Sequence, residues 1–200
     1  ETGPRQRYSA DWLRERVKAL VSSRTYEAPL DGTSVWGWKE PNTHITISRL
    51  QHELPRMRYI HVIRNGLDIA FSANQKQLGL WGRSFLNRPV ALTPSDSLSY
   101  WCEAHRRVLA ACAPMAGRFH LLNFDQLCTE PSGELRRLLA FLQLEVSDSG
   151  IQRLISLVAA PTSIGRFKDH DLSVFSEGDL RYAEALGFDK LLDAAGDIAH

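Results

Sequence analysis

The sequence predicts an α/β domain built on a parallel sheet, and three observations carry that prediction. Arg58-Tyr-Ile-His-Val-Ile63 is a short aromatic and β-branched run, the composition of a strand. Behind it Leu67, Ala70, Phe71, Asn74 and Leu78 recur at helical intervals. Phe119-His-Leu-Leu-Asn123 repeats the strand pattern, again with helical periodicity downstream. Strands alternating with helices imply β-α units whose strands run parallel.

The elements follow in chain order. From Asp11 to Arg24 the apolar residues Leu13, Val17, Leu20 and Val21 fall on one helical face, with Ser9 upstream as a cap. A loop over Tyr26–Thr33 leads to Ser34-Val-Trp-Gly-Trp38, which suits a strand. Thr43–Leu54 places Ile47, Leu50 and Leu54 together as a helix, with Pro41 near its start. The strand at Arg58–Ile63 and the helix over Leu67–Leu78 come next. Trp81–Pro94, with Gly82, Pro89 and Pro94, reads as a long surface loop, either a lid or substrate segment or a mere connector.

The clearest helix is Ser95–Met115, where Leu98, Trp101, Cys102, His105, Val108, Leu109 and Cys112 make a continuous apolar stripe. His105 within it reads as a satisfied core histidine. Phe119–Asn123 is the third strand. Helices are expected over Ser132–Leu142, capped by Ser132, and over Ser147–Val158. A loop-rich tail carries one more helix over Glu177–Leu186. There is no internal repeat and no low-complexity segment.

Composition narrows the function classes. Two hundred residues at 44% hydrophobic and 24% charged describe one domain over residues 1–200, able to bury a core without staples. With 24 basic against 23 acidic residues the formal charge is +1, which argues against the broad basic face of a nucleic-acid binder. Any anion site is therefore local. Cys102, Cys112 and Cys128 show neither a C-x-x-C pair nor a metal-like His spacing, so reduced structural thiols and no metal are expected. No run of eighteen apolar residues occurs and Glu1-Thr2-Gly3-Pro4-Arg5 has no apolar leader, so the expectation is a soluble, cytoplasmic chain without a membrane segment.

The most informative stretch is Tyr59–Ser72, where a strand hands over to a helix with Arg64, Asn65 and Gly66 at the junction. Ligands of open α/β sheets bind at this edge. Arg64 offers a planar fork that grips phosphate, Gly66 allows close backbone approach, and the N–H groups of a new helix favour an anion. Ser72 adds a hydroxyl donor from the helix. Two competing readings stand beside this one. Asn65-Gly66 is also a strong hairpin turn signal, although the following spacing is helical and not alternating. Alternatively Arg64 is a surface charge and Asp68 a helix-dipole partner. Upstream, Lys39 lies just past a strand-like run and ahead of a helix, either on the same ligand edge or as a solvated strand-end lysine.

Taken together, Trp38-Lys-Glu-Pro-Asn42, Val62-Ile-Arg-Asn-Gly66 through Ser72, and Asn123-Phe-Asp-Gln-Leu127 resemble the sulfotransferases that use 3′-phosphoadenosine 5′-phosphosulfate (PAPS), particularly the bacterial and tyrosylprotein-type branch. Glu130-Pro131, the helix Leu135–Leu142 and Pro161-Thr-Ser-Ile-Gly-Arg166 continue the resemblance, which covers Val35–Lys168. It implies a helix-rich, P-loop-NTPase-like sulfotransferase fold with a parallel sheet. It makes Arg64 and Ser72 ligands of the 3′-phosphate and Lys39 the cation beside the transferring sulfuryl group. Ser163, Arg166 and Lys168 match the late segment that closes over the nucleotide. Phe124 stands where tyrosylprotein-type relatives carry a tyrosine, keeping a ring without its hydroxyl, or it is a core residue after a strand.

The implied reaction is in-line displacement at sulfur by a hydroxyl or amine acceptor, releasing adenosine 3′,5′-bisphosphate, with positioning and charge stabilisation as the protein's task. The family's phosphosulfate loop, a Pro-Arg-Ser-Gly-Thr-Thr-like turn after the first strand, has no equivalent between Glu1 and Trp36. A fragment, a removed upstream stretch and a degenerate relative all fit that gap, and a fragment lacking the first strand and loop is favoured. Cytosolic relatives carry Lys-x-His where this chain has Lys39-Glu40-Pro41, so Glu40 and His44 are fallback candidates for proton transfer. A nucleotide kinase would need G-x-x-x-x-G-K-[ST], which is missing. The alternative class is a non-catalytic nucleotide-binding or protein-interaction module of the same fold. Trp36, Trp38, Trp81, Arg83 and Phe85 either line a pocket for a small-molecule, carbohydrate or peptidyl acceptor or pack the fold.

Overall fold

The computed structural model describes residues 37–188 together with Glu15 and Lys18. The expected opening helix and the loop after it lie outside the described residues, apart from Glu15 and Lys18, which are helical and paired at 2.7 Å. Of the expected strand Ser34–Trp38 only Gly37 and Trp38 are described, and neither is in a strand.

The chain divides into two compact units, Glu1–Met57 and Arg58–His200. In the first, helix α1 spans Thr43–Glu53 and buries Thr43, Ile47 and Leu50, a stripe at helical spacing. Its C-terminal turn closes through the Leu54 N–H on the Leu50 carbonyl, and Arg49 pairs with Glu53 at 2.5 Å on the outside.

In the second unit β1 (Tyr59–Ile63) lies parallel to β2 (Phe119–Asn123), in register from Tyr59 opposite Phe119 to Ile63 opposite Asn123. These are the strands found among the described residues, and the fold is helix-rich α/β with a parallel sheet. Three helices form the crossover: α2 (Gly66–Ala70), α3 (Lys76–Leu86) and α4 (Pro94–Cys112). After β2 come α5 (Phe124–Thr129), α6 (Pro131–Leu142), α7 (Asp148–Ile155) and α8 (Glu177–Ala185).

Ile63 at the end of β1 joins Leu67, Ala70, Leu98, Trp101, Cys102, Phe167, Phe175, Ala183 and Phe188 in one buried cluster. Successive strand side chains alternate in direction, so His61 shares the face of Ile63 and meets His105 of α4 edge-on at 5.1 Å. His105 is a core histidine, its Nδ1 lying 2.6 Å from the Trp101 carbonyl oxygen. Gly66 explains how closely α2 approaches α4. A Cβ there would stand 2.7 Å from Trp101 Cδ2 and 2.9 Å from Leu98 Cδ1, so this glycine serves helix packing and not only access of a ligand to the backbone. Burial pushes the Cys102 thiol up to about 12 and the Cys112 thiol up to about 11, in keeping with structural, unreactive sulfurs.

Several boundaries differ from the sequence expectation. The single helix expected over Leu67–Leu78 is two, broken at Phe71–Gln75, so Ser72 sits in the connector and not on a helix. The expected loop Trp81–Pro94 begins only at Asn87, because Leu78, Trp81, Gly82 and Phe85 form a buried face of α3. Trp81 and Phe85 therefore pack the fold: Phe85 meets Tyr100 edge-on, and the Arg107 guanidinium lies over its ring at 4.5 Å. The short helix α5 follows β2 directly, where none was expected. Helix α6 is entered from Glu130 with Pro131 in its first turn, and Ser132 lies inside it.

Candidate functional site

The register of the two strands sets up the site. With Ile63 opposite Asn123, the next residues of each strand, Arg64 and Phe124, emerge side by side at the carboxyl edge of the sheet. The Arg64 guanidinium lies over the Phe124 ring at 4.9 Å, a cation-π contact on a planar group that stacks well. Both chains then turn immediately into helices through asparagine caps. Asn65 Oδ1 accepts the Leu67 N–H at 2.9 Å, while Asn123 Oδ1 accepts the N–H groups of Asp125 at 3.0 Å and Gln126 at 3.1 Å. The hairpin reading of Asn65-Gly66 is thereby excluded, since Gly66 opens α2.

Asp125 stitches the two junctions together, its Oδ2 accepting the Asn65 N–H at 2.7 Å. A third segment comes from far along the chain. Arg64 Nη2 donates to Ser163 Oγ at 3.0 Å, and Asp68, 3% exposed, holds the stretch that follows Ser163. Its Oδ2 accepts the Gly165 N–H at 2.8 Å and its Oδ1 accepts the Phe167 N–H at 3.1 Å. Arg166 Nη1 donates to the Asp68 carbonyl at 3.5 Å. Gly165 adopts φ of +81°, the left-handed turn that lets both neighbouring N–H groups face one carboxylate.

Arg64, Phe124, Ser163 and Arg166 are thus assembled around the β1–α2 junction. Lys168 is exposed in the short turn Arg166–Asp169. Ser72 lies in the connector after α2, half-buried, with its Oγ accepting the Asn74 N–H at 3.2 Å. Lys39 and Glu40 belong to the other unit. Lys39 is exposed there, and Glu40 Oε1 accepts from Asn42 N and Nδ2, each at 3.3 Å. His44 Nδ1 lies 2.9 Å from the Pro41 carbonyl oxygen.

Arg64 keeps spare donor capacity at this edge. Its Nε is buried without a hydrogen-bond partner, an unused N–H of the kind a phosphate oxygen satisfies. Among the described residues no group of three or more His, Cys, Asp or Glu side chains is placed to hold a metal ion. No helix among them is long and apolar enough to cross a membrane.

Asp125 carries a pH signature. Burial raises its pKa above the usual carboxylate value, opposed by the Asn65 N–H and the Arg64 charge. A raised folded pKa means that protonation stabilises the fold. That contribution is complete below the unfolded pKa of about 3.9 and is lost as pH rises through the folded value. Asp125→Asn, neutral at every pH, is expected to be no less stable than wild type at neutral pH, while wild type gains on it as the solution is acidified. Urea unfolding of both proteins at acid and neutral pH measures the difference; a variant clearly weaker at neutral pH contradicts the assignment.

Asp68 and Asp125 are the residues of this candidate site that sequence reasoning does not single out as structural ties. Asp68 was visible only as a carboxylate in a first helical turn, and Asp125 only as part of a motif block. Their partners lie 97 and 60 residues away, which no local spacing reveals.

A sequence-family profile described as the sulfotransferase family matches residues 3–148. No curated protein and no solved structure matches the chain.

Proposed function

The chain belongs to the sulfotransferase family, an enzyme family of sulfuryl transfer, and from that premise we propose that its donor is PAPS, gripped by its 3′-phosphate on Arg64. The observation that carries this reading is the Arg64 constellation at the carboxyl edge of β1. Its guanidinium is aligned over Phe124 at 4.9 Å, tethered to Ser163 at 3.0 Å, and still holds an unused buried N–H. A planar fork fixed on two sides loses little freedom when it closes on a phosphate.

PAPS supplies a sulfuryl group on adenosine 3′,5′-bisphosphate, which departs as an acceptor hydroxyl or amine attacks sulfur in line. The residues of the chain bind and orient. Arg64 and Ser72 hold the 3′-phosphate, Phe124 keeps the guanidinium plane in place, and Ser163, Arg166 and Lys168 close the edge with a hydroxyl and two cations. Lys39 is proposed as the cation for charge developing near sulfur, and Glu40 as a proton acceptor, both on the family resemblance. Preorganised charge of this kind is the main contribution a protein makes to group transfer. The family match runs through Met57, which supports reading both units as parts of one sulfotransferase domain. The acceptor class proposed is a small molecule, a carbohydrate or a peptide side chain.

Donor choice tests this reading. The chain is incubated with a panel of phenol, sugar and amine acceptors and either PAPS or adenosine 5′-phosphosulfate, which lacks the 3′-phosphate. PAPS is expected to be preferred by about a hundredfold or more in kcat/KM, the discrimination of a site built around a charged group. Equal use of the two donors contradicts it.

A further inference from the structure

We infer that Gln75 is the positioning residue for Ser72, a role that rests on the proposed contact of Ser72 with the nucleotide 3′-phosphate. Helix α2 is only five residues long and closes with the Phe71 N–H on the Leu67 carbonyl at 3.2 Å and the Ser72 N–H on the Ile69 carbonyl at 3.0 Å, after which no further turn follows. The Gln75 side chain, at the end of the connector, folds back over the carbonyls at this end of the helix. Its Nε2 lies 2.9 Å from the Ile69 carbonyl, 3.3 Å from that of Ala70 and 2.8 Å from that of Ser72.

The other end of the same amide is anchored in turn. Gln75 Oε1 accepts from Ser97 Oγ at 2.7 Å, and Ser97, on α4, is 2% exposed. One side chain therefore ties the end of α2, the backbone of Ser72 and the core helix α4 into one unit. The amide orientation is set by this pattern, since a hydroxyl donates to Oε1 and carbonyl oxygens surround Nε2. At Ser72 the Oγ accepts the Asn74 N–H at 3.2 Å, which leaves its own hydrogen available to donate to a ligand. The connector that breaks the expected long helix is thus a braced loop that presents a hydroxyl.

The consequence is specific. Removing the Gln75 amide releases Ser72 while leaving contacts to the rest of the nucleotide intact, so the loss falls on the 3′-phosphate alone. Wild type, Ser72→Ala, Gln75→Met and the double variant are titrated by calorimetry with adenosine 3′,5′-bisphosphate and with adenosine 5′-monophosphate. The quantity read is the affinity ratio of the two nucleotides. Ser72→Ala is expected to lower that ratio about tenfold, the effect of one hydrogen bond to a charged oxygen. Gln75→Met lowers it comparably, with monophosphate affinity unchanged, and the double variant lowers it no further than either single change.

A Ser72→Ala effect with an unchanged ratio in Gln75→Met overturns the positioning role while sparing the Ser72 reading. An unchanged ratio in Ser72→Ala overturns both. Ser97→Ala serves where Gln75→Met does not fold: it removes only the anchor on Oε1 and is expected to lower the same ratio by a smaller factor, and no change there overturns the role.

Discussion

Asp68→Ala is expected to destabilise the fold by about 2–4 kcal/mol, because it leaves one buried and one part-buried N–H group without an acceptor. Those groups, on Gly165 and Phe167, both bond the Asp68 carboxylate, and Phe167 is itself part of the core at 4% exposure. A loss of that size is a large fraction of the stability of a domain. The damage also has a direction. The carboxylate is what returns the late segment to the β1–α2 junction, so Ser163 loses its place beside Arg64 when it goes. Asp68→Asn separates the two effects: it keeps one carboxamide oxygen for one N–H and turns an NH₂ toward the other. Urea unfolding gives the global change, and hydrogen exchange at Gly165 and Phe167 gives the local one, with both amides exchanging faster in Asp68→Ala and one of the two in Asp68→Asn. Stability within 0.5 kcal/mol of wild type in Asp68→Ala, an order-of-magnitude bound for an ordinary surface substitution, would mean that this latch holds nothing.

Arg64→Ala is expected to cost about a hundredfold in affinity for adenosine 3′,5′-bisphosphate, since charge-assisted bonds from a fixed guanidinium each contribute about 1.5–3 kcal/mol. The same change has a smaller effect on stability, because it removes one cation-π contact with Phe124 and one bond to Ser163. Arg64→Lys preserves the charge without the fork or the flat face, so it is expected to recover only part of the affinity. Full recovery by lysine would show that charge alone matters and that the Phe124 and Ser163 contacts do not orient the group.

The strands and the junction were legible from sequence for physical reasons. Arg58–Ile63 and Phe119–Asn123 are short, apolar or aromatic runs, the first with a capping asparagine, Asn65, just past its end and the second ending on one, Asn123. Arg64 stands out as a candidate because a strand end followed by a new helix is a place where an arginine can meet an anion. Other features depend on tertiary partners. At the break, Phe71–Gln75, the Gln75 Nε2 lies within hydrogen-bond distance of three carbonyls, while the apolar spacing runs through it as though the helix continued. The segment after Trp81 reads as a loop in sequence because glycine and proline suggest one, whereas the helix runs on to Leu86. Gly82 is instead a packing residue, where a Cβ would stand 2.6 Å from Leu78 Cδ1 and 3.2 Å from Val90 Cγ2. Asp68 looked like a dipole partner because its two N–H donors lie nearly a hundred residues downstream.

The central claim is that the Arg64 edge recognises a 3′-phosphate, and the most direct measurement is calorimetric titration of the wild-type chain with adenosine 3′,5′-bisphosphate against adenosine 5′-monophosphate. The account predicts strong preference for the bisphosphate, abolished by Arg64→Ala. Equal affinities for the two nucleotides, or a preference that survives Arg64→Ala in a folded protein, would contradict it.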